Sequence, residues 1–167
     1  MTSPPTHPSP EPDAQLIAER CAALMWADDL AARALGVELL EVGPGLARLR
    51  MRVRPDMVNG HGSCHGGFIF TLADAAFSYA CNSDNQRAVA AGADISFLAP
   101  AHTGDVLESV CRVRSQGGRN GIYDSEVSNQ LGKIIALFRG RSARIKGHFF
   151  ADADADSNPR QSQESSP

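Results

Sequence analysis

The 167-residue sequence predicts an α+β fold built on an antiparallel sheet, and three observations carry that reading. A strand-period hairpin is centred on Gly43-Pro44-Gly45. One long, almost wholly apolar helical stretch follows Gly66. Four more strand-period segments come after it, separated by turn residues.

Taken in chain order, Asp13 stands where it can cap a first helix whose apolar positions include Leu16, Ile17, Leu24 and Trp26. A second short helical stretch runs from Asp28 to Leu35 and stops at Gly36. The period then changes to two. In "LARLRMRVR" Ala47, Leu49, Met51 and Val53 point one way and Arg48, Arg50, Arg52 and Arg54 the other. The central helix carries Phe68, Ile69, Leu72, Phe77 and Tyr79 around more than one face. A helix apolar all round has to be buried, by a sheet that curls around it and by a second subunit. Strands are expected near 87–98, 105–115, 120–130 and 133–146, with turns at Gly117-Gly118 and Asn129–Gly132.

The ends differ from the middle. Residues 1–12 are too rich in proline for regular structure, and 151–167 are polar and of low complexity, so both read as tails. That leaves one domain, 13–150, opening with a helical segment over 13–35. With 43% hydrophobic and 21% charged residues this is an ordinary globular composition. A net charge of -3 gives no electrostatic reason to expect nucleic acid, and the alternating arginines fit the wet face of a strand. Four cysteines without framework spacing, and no secretory signal ahead of them, point to reduced thiols in a cytoplasm. No apolar run reaches the roughly 18 residues that would span a bilayer.

The chemistry concentrates in "NGHGSCHGGFIFTLADAAFSYACN", residues 59–82. Gly66 falls in the first helical turn, where backbone N–H groups lack partners and the dipole is positive. Such a site suits an oxygen gaining negative charge, and equally a plain tight turn. Asp74 is an acid inside an apolar helix, suited to catalysis or to a structural polar network. Asn59 opens an Asn-Gly turn pair, and His65 stands beside the helix start. A metal site drawn from His61, Cys64, His65 and Cys81 fails on reach, because Cys81 lies more than about 20 Å along the helix.

The pattern Asn59-x5-His65-Gly66-Gly67 followed by Leu72-Ala73-Asp74 resembles the signature of the phenylacetic-acid-degradation (PaaI) thioesterase family. The likeness continues through "ISFLAP", "GRNGIYDSEV" and "ALFRGRSARI" and covers roughly residues 30–147. It implies the hotdog fold, a long helix wrapped by a curved antiparallel sheet. It also implies hydrolysis of acyl-coenzyme A thioesters, aromatic substrates of phenylacetate catabolism among them, in a homodimer with shared sites or a dimer of dimers. No metal and no cofactor is implied, coenzyme A being part of the substrate. Asp74 becomes the catalytic carboxylate, as base or as nucleophile. Gly66 becomes the oxyanion donor, Asn59 the partner of the carbonyl or of water, and His65 an orienting residue. Gly118, Arg119, Asn120 and Gly121 take the coenzyme A position, with Arg139 and Arg141 as further cations. Phe68 and Phe77 are candidates for the acyl pocket. The chain departs from some relatives in having no hydroxyl over 88–93 to help hold water. Two other readings are a hotdog hydratase or dehydratase and a non-catalytic acyl-coenzyme A binding module.

Overall fold

The structure is a computed structural model that describes residues 12–151; the tails expected at 1–12 and 151–167 lie outside the described residues, except for residues 12 and 151 themselves. Helix α1 (Pro12–Asp28) places Asp13 within its first turn rather than at a cap. Helix α2 (Leu30–Ala34) is shorter than the sequence suggests, because Asp29 caps it by accepting from the Ala32 N–H at 3.0 Å. Gly36 follows with a φ of 72°, the left-handed stop that a glycine supplies without strain.

Strands β1 (Glu38–Gly43) and β2 (Leu46–Arg52) form the expected hairpin. Ala47, Leu49, Met51 and Val53 are all buried. On the wet face Arg48 meets Glu41 and Glu108, and Arg50 meets Glu38. After a single 3-10 turn (Pro55–Met57) comes helix α3 (Gly66–Cys81), then β3 (Gln86–Phe97), β4 (Val106–Gly117), β5 (Asn120–Ser128) and β6 (Ile134–His148).

All six strands form one antiparallel sheet in the order β1-β2-β4-β5-β6-β3. The sheet wraps α3, which packs against every strand in it. Leu72, Ala73, Ala76 and Phe77 are sealed in that wrap. Phe77 meets Tyr123 and Phe138 with ring centroids 5.5 and 5.9 Å apart, geometry that adds to area burial. A side chain on Gly140 would stand 2.7 Å from that ring, so the glycine lets β6 approach the helix.

Coverage of α3 is uneven. Gly67 is exposed, and Thr71, Asp74, Ala75 and Ser78 are only partly buried. At spacings of three and four these residues make one stripe, the open face of the helix. Strand β3 is an edge of the sheet, and its Val89 and Phe97 are 47% and 52% exposed. Helix α1 closes part of the remaining mouth. Gln15 donates to the Val42 carbonyl at 2.8 Å, and Trp26 packs against Tyr79 of α3 with ring centroids 6.2 Å apart, while the Tyr79 hydroxyl donates to Asp29, the cap of α2, at 3.0 Å.

Candidate active site

Asn59, His65, Gly66 and Asp74 come from one loop and the helix that follows it. The loop is built by Asn59 itself. Its Oδ1 accepts from the N–H groups of His61 at 2.9 Å and Ser63 at 3.3 Å, while its own N–H donates to the Ser63 carbonyl at 2.8 Å. These contacts fix the amide's orientation, and Nδ2 keeps both hydrogens without a partner among the described residues. The loop is anchored to the fold at its far end: Cys64 N–H donates to the Ala101 carbonyl and His65 N–H to the Met57 carbonyl, both at 2.8 Å.

His65 is the N-cap of α3. Its Nδ1 accepts the Gly67 N–H at 3.0 Å. An N–H can only donate, so Nδ1 is the acceptor of this contact and Nε2 is the ring nitrogen left for another partner. Phe68 N–H turns back to the His65 carbonyl at 3.0 Å. The Gly66 N–H is thereby left as the unpaired donor of the first turn among the described residues. It sits at the positive end of a 16-residue helix. The Phe97 ring lies against Gly66, where a Cβ would be 2.9 Å from its tip, so a side chain there would displace that aromatic wall.

Asp74 stands on the open stripe of α3 with no hydrogen-bond or ion-pair partner among the described residues. Burial pushes its carboxyl pKa up from the ordinary 3.8. The balance between burial and N–H donors, open in the sequence, falls to burial. Eight residues separate it from Gly66, about 12 Å along the helix axis. Within one chain the Gly66 N–H and the Asp74 carboxylate therefore do not converge.

The coenzyme A candidates divide. Arg119, Asn120 and Gly118 are exposed on the β4–β5 hairpin, where Gly118 takes a φ of 53°. Arg119 Nε donates to the Arg144 carbonyl at 3.2 Å, which steadies the side chain and leaves its terminal nitrogens unpaired among the described residues. Gly121 is different. It is buried in the ladder opposite Gln116, and a Cβ would lie 2.3 Å from the Gln116 Oε1 and 2.7 Å from Tyr123. Its missing side chain makes room for those two residues and offers no surface to a nucleotide. Arg139 grips Asp124 with contacts of 2.6 and 2.8 Å, and Arg141 holds Asp94 at 2.6 Å. Both are engaged by carboxylates on the outer face of the sheet. Phe77 is 1% exposed and belongs to the core, so it cannot line an acyl pocket; Phe68 stays partly open beside His65.

Periodicity could not say which face of α3 stays open. It also gave no sign that the His65 ring would cap the helix, since histidine is not a preferred cap. Among the described residues no three His, Cys, Asp or Glu side chains are grouped to hold a metal ion, and no helix is long and apolar enough to cross a membrane.

Residues 61–136 match the model of the thioesterase superfamily. The acyl-coenzyme A thioesterase PaaI of Escherichia coli (strain K12) is 47% identical over 132 residues, 79% of this chain and 94% of the relative. The structure of the E. coli PaaI protein from the phenylacetic acid degradation operon superposes with a TM-score of 0.80 at 46% identity, covering 81% of this chain and 98% of that one. A variant of the phenylacetic acid degradation protein PaaI from Thermus thermophilus gives 0.66 at 35% identity, over 68% and 97% of the two chains. A Streptococcus mutans UA159 protein bound to acetyl-CoA gives 0.65 at 25% identity, over 67% and 90%. With its six antiparallel strands wrapped around α3 and a relative this similar along nearly its whole length, the chain belongs to the PaaI family of hotdog-fold thioesterases.

Proposed function

We propose that this chain hydrolyses acyl-coenzyme A thioesters, arylacetyl thioesters of the phenylacetyl type among them, to the free acid and coenzyme A. The observation that carries the reading is Asp74, a half-buried carboxylate with raised pKa and no partner among the described residues. A structural acid at that depth would be paired; this one is available to react.

The thioester oxygen accepts from the Gly66 N–H and from Asn59 Nδ2, donors that strengthen as charge develops on it. Asp74 takes a proton from one water, whose oxygen bonds to the carbonyl carbon, or attacks that carbon itself to form an anhydride that one water then hydrolyses to the free acid, restoring Asp74. The carbon–sulfur bond breaks, and the thiolate leaves with the proton that balances it. Nothing is oxidised or reduced, so no redox cofactor enters, and the reaction as drawn uses no metal. The Streptococcus mutans neighbour, with its bound acetyl-CoA, supports a coenzyme A site in this fold, and exposed Arg119 with Gly118 and Asn120 is this chain's candidate for it. The operon of the E. coli relative supports the arylacetyl choice.

The separation of about 12 Å between Gly66 and Asp74 makes each site the work of two chains. Two α3 helices packed antiparallel across a two-fold axis, with the free β3 edges meeting, set Gly66 of one beside Asp74 of the other. The four free cysteines, all buried, fit a reducing cytoplasm. A panel of acyl-coenzyme A thioesters assayed for free thiol release tests the activity. Asp74→Asn is expected to retain less than about a tenth of the wild-type rate, a barrier increase above roughly 1.4 kcal/mol, with its circular dichroism and oligomer unchanged. Retention of most of the rate would remove Asp74 from the reaction. Tight binding of every thioester without turnover by the wild type would make the protein a binding module.

A further inference from the structure

The tip of the loop that carries Asn59 stands open. Gly60, His61 and Gly62 are exposed, and a Cβ on either glycine would meet no atom within 4 Å. The backbone turns there through Gly62, at a φ of 78°, and the Gly62 N–H donates to the Asn59 carbonyl at 3.0 Å. One polar contact reaches this tip from elsewhere in the chain among the described residues. It is His102, whose Nδ1 lies 3.4 Å from the Gly62 carbonyl oxygen.

The backbone under His102 is fixed. The residue sits in the connection between β3 and β4, next to Ala101, which is fully buried and accepts the Cys64 N–H at 2.8 Å. Just past β2, Val53 accepts the Gly104 N–H at 2.9 Å and donates its own N–H to the Asp105 carbonyl at 2.8 Å. The Asp105 carboxylate closes the turn by accepting the His102 backbone N–H at 2.8 Å, and its other oxygen accepts from Gln130 at 2.8 Å. The His102 ring therefore projects toward the Asn59 loop from a framed base.

The atom it meets matters. The Gly62 carbonyl belongs to the same peptide group as the Ser63 N–H, and that N–H donates to Asn59 Oδ1 at 3.3 Å. A peptide group is planar, so a contact that fixes its carbonyl also fixes the direction of its N–H. A carbonyl oxygen only accepts, so the contact is a hydrogen bond when Nδ1 carries a proton. The bonds then run in series from His102 through the Gly62–Ser63 peptide to the Asn59 amide, each polarising the next, and end at Nδ2 with its two hydrogens.

We infer that His102 is a positioning residue for thioester hydrolysis, orienting the Gly62–Ser63 peptide and, through it, the Asn59 Nδ2 donor. The inference rests on the part that the proposed function gives to Asn59. His102, Gly62 and Asn59 belong to one chain, so the series is the same however two chains pair. Asn59 donates to an oxygen whose charge grows toward the transition state, so a misaligned amide lowers turnover more than binding.

The test measures kcat and KM in the full-length wild type and in His102→Ala, His102→Asn and His102→Gln. The substrate is whichever of acetyl-, hexanoyl- and phenylacetyl-coenzyme A the wild type hydrolyses fastest. An asparagine amide nitrogen reaches the place of Nδ1, whereas a glutamine amide nitrogen reaches that of Nε2. His102→Ala and His102→Gln are expected to lower kcat by about tenfold with KM within about twofold, and His102→Asn to keep kcat within about threefold of wild type. Size-exclusion chromatography and thermal melting show whether each variant is folded and assembled. If His102→Ala fails to fold, the contrast between the asparagine and glutamine variants decides. An unchanged kcat in folded His102→Ala, a change confined to KM, or equal losses of kcat in the asparagine and glutamine variants overturns the positioning role and leaves the hydrolase reading standing. Failure of the wild type to hydrolyse any of the three thioesters overturns both.

Discussion

Asp74 faces the least covered stripe of α3, yet it is buried enough to raise its pKa, and two measurable consequences follow at the scale of this residue. The first concerns rate. In the proposed reaction the carboxylate must be ionised whether it removes a proton or attacks carbon, so activity is expected to rise with pH through a pKa above the ordinary carboxylate range. The acid limb of kcat/KM should sit there, and a limb at or below 3.8 would mean a well-solvated acid. The second concerns stability, and its sign is opposite to that of a salt-bridged aspartate. A folded-state pKa above the unfolded one means that ionised Asp74 costs stability. The cost sets in as pH rises through 3.8 and is complete above the raised value. Asp74→Asn should therefore melt higher than wild type at neutral pH, with the gap closing in acid. Identical melting at every pH would show that the carboxylate is not desolvated. His65 and Asn59 differ from it: each spends one side-chain atom on the loop or the helix start and leaves the other nitrogen, Nε2 or Nδ2, without a partner among the described residues.

Among the elements, the proposed function gives the reaction to α3 and coenzyme A binding to the β4–β5 hairpin. Arg119 of the hairpin is steadied by one hydrogen bond, from its Nε to the Arg144 carbonyl of β6. Arg119→Ala should raise KM for coenzyme A thioesters much more than it lowers kcat, and should barely affect a truncated thioester lacking the nucleotide. Equal losses on both substrates would take the nucleotide away from this hairpin. The existence of these elements was legible in the sequence because their signals are local. An apolar run after Gly66-Gly67 can only be a buried helix, and alternation from Ala47 to Val53 can only be a strand with one wet face. Pairing was not legible. That β3 lies beside β6 rather than β4 is a long-range contact without local signature, and it decides that β3 is a free edge. The site was half legible. The motif's spacing put the candidates Asn59, Gly66 and Asp74 on one loop and the helix after it, whereas burial packs Gly121 and Phe77 and carboxylates hold Arg139 and Arg141.

At the scale of the whole molecule, the proposed reaction asks for more than one chain. Gly66 and Asp74, the proposed oxyanion donor and acid, lie on one rigid helix about 12 Å apart, yet in that reaction both must reach one carbonyl group, the donor at hydrogen-bond distance and the acid directly or through one water. Bending α3 cannot close that gap, because Leu72, Ala73, Ala76 and Phe77 lock it into the sheet. A second copy can. An antiparallel helix pair related by a two-fold axis gives two equivalent sites, each with Asn59 and Gly66 from one chain and Asp74 from the other. Co-expression of an Asp74→Ala chain with an Asn59→Ala chain isolates this arrangement, once each is shown to be inactive alone. In a mixed dimer, one site then takes Asn59 from the first chain and Asp74 from the second and is intact, while the other site carries both substitutions. Random pairing makes half the dimers mixed, so activity should recover to about a quarter of wild type. Isolating the mixed dimer by two different affinity tags should raise that to about half, since one of its two sites works. An inactive mixed dimer would place Asn59 and Asp74 in the same site within one chain, against the helix geometry.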